Sequence, residues 1–293
     1  MKRRTFLTTA SAAVGSILAE PLVAKPEAGI ALSLKQDMIG GEVTIAEKFR
    51  LIKDLGYDGV EMQGPRGLNL KEAIIASKSF SLPIHGSVNG VHWKIKMSSS
   101  DEGERAKAVA AMTRCIEEIH QVGGSSVLLV PGVVGGDVTP KLAWERSIVE
   151  IRKLLPLASK LGIHILIENV WNGMFYDPKG PNTQSADLLK NYLDEINSPW
   201  VGSYFDIGNH QRFGKPAEWI KTLGNRIVKL DVKDWGVKSS FGKIGEGDVD
   251  WPAVRAALKD IGYSGWATAE VGGGQKEGLR EVLQNMRIHL LGQ

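Results

Sequence analysis

The sequence predicts a single-domain (β/α)8 barrel behind an N-terminal export signal. Three observations predict it: a motif of helix end, glycine and strand recurs along the chain, apolar strands alternate with amphipathic helices throughout, and no break in composition marks a second domain. A chain of 293 residues with 43% hydrophobic and 24% charged residues is that of an ordinary globular protein, long enough for one large core.

The first element is not part of that fold. Lys2, Arg3 and Arg4 precede a short, mostly apolar run from Phe6 to Ala19, with a small-residue exit at Ala24. Residues 1–24 therefore read as a signal peptide, and Arg3-Arg4-Thr5-Phe6-Leu7 resembles a twin-arginine signal, which predicts an exported, periplasmic protein; the competing account is an ordinary Sec signal or an uncleaved lipid-facing anchor. The run is short for a membrane span, so no stable membrane insertion is expected after export. The barrel is expected over 25–293. Loss of residues 1–24 removes three positive charges and Glu20, which takes the formal charge from +3 to about +1. Such a balance argues against nucleic acid as a partner. The single cysteine, Cys115, has no partner for a bridge and sits at an apolar helical position, as a core residue does.

Within the barrel, LGYDGVEM (55–62), VGGSSVLLVPG (122–132), LGIHILIEN (161–169) and IGYSGWATAE (261–270) share the recurring motif. Helix starts are legible too. Thr44 and Glu47 have capping-box spacing before Phe49 and Ile52, Thr139-Pro140 opens a helix running to Leu161, and Asp250-Trp251-Pro252 opens one running to Ile261. The strands in order are AGIALSL, DGVEMQG, LPIHGSV, SSVLLVPG, HILIEN, VGSYFDIG, RIVKLDVK and GWATAEV. Eight strand-helix units of this length match a closed parallel barrel, whose strands are buried on both faces. A glycine-rich dinucleotide turn after the first strand, the mark of an open doubly wound sheet, is missing.

Barrel active sites lie at the C-terminal mouth, so polar residues that finish strands are the candidates: Glu61, His85, Glu168, Asp206, Asp231 and Glu270. Glu168, Asp206, Asp231 and Glu270 end four consecutive strands. Four carboxylates on one arc repel one another unless a cation sits between them, and an all-oxygen donor set favours Mn²⁺ or Mg²⁺ over Zn²⁺ or Co²⁺. The competing account of each is a surface carboxylate or one that caps the adjoining segment, a role open to Asp206 in FDIGNH. His85 and His210 are placed to hydrogen-bond a polar ligand, or to serve as structural groups. Lys233, two residues past Asp231, is placed to neutralise an oxyanion or pair with a carboxylate. Trp171 and Trp93, in loops beyond strands, are placed to stack on a ligand ring or to pack the core or a lid. The glycine-rich segment SSFGKIGEGDVD (239–250) reads as a cover over the mouth or a long connection.

ILIENVW, SYFDIGN, RIVKLDVKDW with GEGDVDW, and GYSGWATAE together resemble the xylose isomerase-like family of sugar isomerase and epimerase TIM barrels, over nearly the whole mature chain. The resemblance implies that Glu168, Asp206 and Glu270 are metal ligands and that Glu168 and Glu270 move protons. Ketose 3-epimerases of the family carry histidine where this chain has Asp231, whereas xylose isomerases carry aspartate. The implied activity is a metal-dependent isomerase or epimerase acting on a sugar or keto-sugar through an enediolate. Glu61, His85, His210, Lys233 and Trp171 would contact the substrate. Barrels of this family often pair, which admits a homodimer. The same site also suits a lyase that eliminates a β-oxygen from a keto-glycoside, and a barrel that binds sugar without chemistry keeps the fold equally well. The tri-zinc nucleases of the superfamily need more strand-end histidines than a chain with 6 in all supplies.

Overall fold

The computed structural model describes residues 29–65 and 69–293. The export signal expected over residues 1–24 lies outside the described residues. Among those described, no helix is long and apolar enough to cross a membrane.

The strands are Ile30–Lys35 (β1), Gly59–Gly64 (β2), Ile84–Asn89 (β3), Ser126–Leu129 (β4), His164–Glu168 (β5), Val201–Asp206 (β6), Ile227–Val232 (β7), Asp234–Gly236 (β8), Ser240–Gly242 (β9) and Gly265–Ala269 (β10). All but β8 and β9 pair in parallel and close a barrel in the order β1-β10-β7-β6-β5-β4-β3-β2. Eight sequence-predicted strands thus appear as the eight barrel staves.

Helices Ile45–Leu55 (α1), Leu70–Phe80 (α2), Glu102–Gln121 (α3), Pro140–Leu161 (α4), Asp187–Ile196 (α5), Ile207–Gln211 (α6), Pro216–Leu223 (α7), Trp251–Asp260 (α8) and Lys276–Asn285 (α9) surround it. Their ends follow the sequence signals. The Thr44 hydroxyl accepts from the Glu47 amide while the Glu47 carboxylate accepts from the Thr44 amide, a complete capping box. Gly56 and Gly162 close α1 and α4 at φ of 90° and 69°, where a side chain would be strained.

Alternation along the staves divides the interior in two. Ile165 and Ile167 join the main core between sheet and helices, together with Phe49, Ile52, Cys115 and Trp219. Leu166 instead meets Leu128, Val88 and Tyr204 in a separate apolar cluster, the plug beneath the mouth. Glu168 is two residues beyond Leu166, so it rises from the same face at the strand's end.

Two elements are not legible in the sequence pattern. A five-residue helix, α6, follows β6 directly, and β8 and β9 form an antiparallel hairpin just past β7. The hairpin takes up the front of the segment read as a cover or connection. It is held by the buried Asp234 carboxylate, which accepts from the Gly245 and Val249 amides and from Trp251 Nε1.

Candidate metal centre and active site

Strand register assembles the acidic cluster. Asp206 pairs with Asp231 across β6 and β7, and Glu168 pairs with Tyr204, which shares a strand face with Asp206. Glu270 follows Ala269, the partner of Val232, and its amide donates to the Val232 carbonyl. One carboxylate oxygen from each of Glu168, Asp206, Asp231 and Glu270 lies within 4.8 Å of all the others. The four predicted ligands are therefore one site, with Glu168, Asp206 and Asp231 buried and Glu270 at the surface of the mouth.

Neighbouring groups orient them. Asp206 accepts from the Asn209 amide, which caps α6, and Asn209 Nδ2 donates to Glu168 Oε1 at 3.3 Å. Asn169 grips the Asp206 backbone from both sides, accepting from its amide and donating to its carbonyl. The short helix that the sequence pattern does not reveal thus has a function: it turns the chain so that one asparagine steadies two ligands.

Two lysines enter the cluster. Lys35, which closes β1, is 3.1 Å from Asp231 and 2.7 Å from Glu270, while Lys233 is 2.8 Å from Asp206 and also pairs with Glu270. Lys233 is expected at the site from its spacing to Asp231; Lys35 is not among the sequence candidates. It ends an apolar strand just as Glu168 does, but the strand-end candidates are carboxylates and histidines.

Charge follows from these positions. Burial, then repulsion from Glu270, pushes Glu168 well above the usual carboxylate range, only partly offset by the two ammoniums. Burial raises Asp231 and Asp206 likewise. Burial also acts on Glu270, but Lys35 and Lys233 together overcome it and hold this carboxyl at about 2. Burial disfavours the ammonium of Lys35, yet the surrounding carboxylates outweigh it and raise its pKa. With all four carboxyls ionised they exceed the two ammoniums by two charges, the complement of one divalent cation, whose binding would draw off the protons that burial favours. Asp231 Oδ1, buried without a hydrogen-bond partner, supplies a donor atom with no other use. On both counts the residues fit a divalent metal ion.

Three predicted sugar contacts are buried side chains. His85 is fully buried inside the barrel, where its ring meets Ser33 and Lys229 at 2.8 Å each and stacks on Trp266. Glu61 is equally buried and accepts from the Tyr204 hydroxyl. His85 lies near the start of β3, which continues past it to Asn89, whereas Glu61 is the register partner of Lys35 and its charge acts on that lysine. With Lys229, Thr268 and Ser33 they form a buried polar floor. His210 is buried against Trp219, ring centroids 3.8 Å apart, with Tyr176 and Phe205 around it. It is a core histidine, since α6 turns it outward from the mouth into the helix layer. Burial lowers it from the ordinary 6.5 to about 3, so it stays neutral while the unfolded chain's histidine takes up a proton. The wild type is therefore expected to lose about 2 kcal/mol relative to His210→Phe between pH 7 and 5, read by urea unfolding at both pH values.

Trp171 does stand at the rim. Its Nε1 donates to the Asn209 carbonyl, its ring lies 5.0 Å from Phe241 of β9, and the Arg212 guanidinium sits 4.5 Å over it. Trp93 is half exposed in the loop after β3.

The family model of the xylose isomerase-like TIM barrel matches residues 49–289. The chain belongs to that family. An uncharacterised protein of Methanocaldococcus jannaschii is 29% identical over 203 residues, which cover 65% of this chain and 64%, just under two thirds, of that protein. L-ribulose-5-phosphate 3-epimerase UlaE of Salmonella paratyphi C is 27% identical over 75% of this chain and 79% of its own. The solved D-allulose 3-epimerase of Methylomonas sp., in complex with D-allulose, aligns with a TM-score of 0.69 at 21% identity, over 85% of this chain and 86% of the epimerase, a likeness of fold. Lys35 precedes the segment matched by the xylose isomerase-like model, whereas all four carboxylates fall within it.

Proposed function

We propose that this chain is a divalent-metal-dependent epimerase or isomerase of a free sugar or keto-sugar, working by proton transfer beside a carbonyl. The observation that carries the reading is the convergence of one carboxylate oxygen each from Glu168, Asp206, Asp231 and Glu270 to within 4.8 Å of one another. Their oxygen-only chemistry favours Mn²⁺ or Mg²⁺. When bound, the ion supplies Lewis-acid polarisation of a carbonyl and its neighbouring hydroxyl. Glu168 and Glu270, separated round the barrel by β6 and β7, supply the acid-base pair. One takes the proton from the carbon next to the carbonyl, leaving an enediolate, and the other or the same one returns it to a different face or carbon. Lys233 is the cation beside Glu270 that neutralises charge on a substrate oxygen. Trp171 offers an aromatic rim against which a sugar ring packs.

Relatives named as ketose epimerases support this choice of chemistry. The signal expected over residues 1–24 favours an unphosphorylated substrate, because phosphorylated sugars are largely intracellular. The test is elemental analysis of protein offered Mn²⁺, Mg²⁺ and Zn²⁺ together, followed by NMR of ketoses in deuterated water. One Mn²⁺ or Mg²⁺ per chain, lost in Asp206→Asn, with carbon-bound protons exchanging only in loaded protein, is the expected result. Exchange that survives full chelation would sink the proposal.

A further inference from the structure

The mouth has two lobes that meet at Glu270. The smaller, 330 Å³, is lined by Lys35, Asp37, Gln63 and the Met38 and Gly40 segment after β1, and Gln63 Nε2 donates to Asp37 Oδ2 within it. The larger, 630 Å³, opens on the other side of Glu270, between the β8–β9 hairpin and α9. The metal-dependent ketose reading uses only the space over the carboxylates and leaves the larger lobe without a role.

Its lining is that of a sugar subsite. Phe241, Ile244 and Val282 give it apolar walls, while Lys243, Glu281 and Asn285 bring polar groups to its edge, with Lys243 and Glu281 paired at 2.6 Å. That combination suits a ring with apolar faces and hydroxyl edges better than it suits an aliphatic tail. Glycines keep the lobe open. A Cβ on Gly272 would meet nothing within 4 Å, and one on Gly278 only the Gly273 carbonyl at 3.8 Å. The lobe also shares Lys233 and Glu270 with the acidic cluster, so a ligand in it is continuous with one at the reacting centre.

We propose that the cleft between the β8–β9 hairpin and α9 is a subsite for a second, glycosidically linked sugar ring, so that the substrate class is a ketose disaccharide or glycoside rather than a monosaccharide. This rests on the metal-dependent ketose reading. The reacting ring sits where the lobes meet, its hydroxyls toward Asp37 and Gln63, and the appended ring lies against Phe241 and Val282. Contacts to the appended ring, remote from the chemistry, hold the reacting carbon in place and so raise turnover as well as affinity.

The experiment compares deuterium exchange into D-fructose, D-tagatose and D-allulose with exchange into turanose, lactulose and isomaltulose, ketose disaccharides joined through different hydroxyls, on the Mn²⁺-loaded full chain. Gly278→Leu and, independently, Val282→Phe fill the cleft from α9 and leave every carboxylate and lysine of the cluster unsubstituted. At least one disaccharide is expected to exceed the best monosaccharide in kcat/KM by about tenfold or more, and both variants to abolish that advantage while leaving monosaccharide exchange within about twofold. Equal handling of both classes by wild type and variants overturns the subsite but leaves the ketose reading standing. If no sugar exchanges, the ketose reading has failed, and titration of the disaccharides against tryptophan fluorescence then decides the cleft alone: binding lost in Gly278→Leu supports it, and absence of binding overturns it.

Discussion

Replacing Glu168 with glutamine is expected to lower deuterium exchange into substrate by about 10²–10⁴-fold, the range removed with a general acid or base. Glutamine keeps the length, the planar end and one carbonyl oxygen that can still point into the cluster, so the change is chiefly the loss of a proton carrier. Asn209 Nδ2, which donates to Glu168 Oε1, can still donate to that oxygen. Metal content separates the two functions of this residue. A variant that holds its metal and has lost exchange identifies Glu168 as a proton carrier. A variant that loses metal and exchange together identifies it as a required ligand. Glu270→Gln supplies the comparison, because this residue is held ionised by Lys35 and Lys233 while Glu168 is pushed toward its protonated form. If the pair divides the work between opposite faces of the substrate, each single variant still exchanges the proton of one epimer and fails on the other. Retention of full exchange with both epimers in both variants would refute the two-glutamate mechanism.

The parts of this centre that are legible in the sequence are those set by strand periodicity. Glu168, Asp206, Asp231 and Glu270 each end an apolar run, and a period of two with parallel register brings strand ends to one rim. His85 and Glu61 illustrate the limit of that rule. Both occur in strand motifs near polar positions, but which residue finishes a stave depends on where pairing stops, and β2 and β3 run on past them. His210 shows a second limit, for α6 follows β6 without a loop and turns the histidine into the aromatic layer of Tyr176, Phe205 and Trp219. Lys35 is the most informative omission. A lysine that closes a buried strand carries the same cost of burial as a carboxylate there, and the same reasoning that finds Glu168 applies to it.

That lysine carries the second large expected effect. In metal-free protein, Lys35→Met is expected to reduce stability by about 3–5 kcal/mol, because it strips the ammonium from Asp231 and Glu270 and leaves buried carboxylate charge uncompensated. Methionine matches the lysine stem closely enough that packing against β2 and β10 changes little. The deficit has a direction in pH. Removing the ammonium raises the folded-state pKa of Asp231, already above its unfolded value, and such a group's contribution is lost as pH rises through the folded pKa. The loss is therefore greatest at alkaline pH and shrinks as the carboxyls take up protons toward pH 5. A divalent cation reverses it from the other side: at 100-fold excess over Kd it stabilises the folded form by about 2.7 kcal/mol, and the variant gains more than wild type at a given Mn²⁺ concentration because no ammonium competes for the same oxygens. Urea unfolding with and without Mn²⁺, at pH 6 and 8.5, reads all three effects. A variant as stable as wild type at pH 8.5 without metal would show that the carboxylates need no counter-ion from β1. The expected pattern assigns Lys35 a definite place: it holds the acidic cluster together in the absence of metal, and with Lys233 it sets the residual charge that one divalent ion then neutralises.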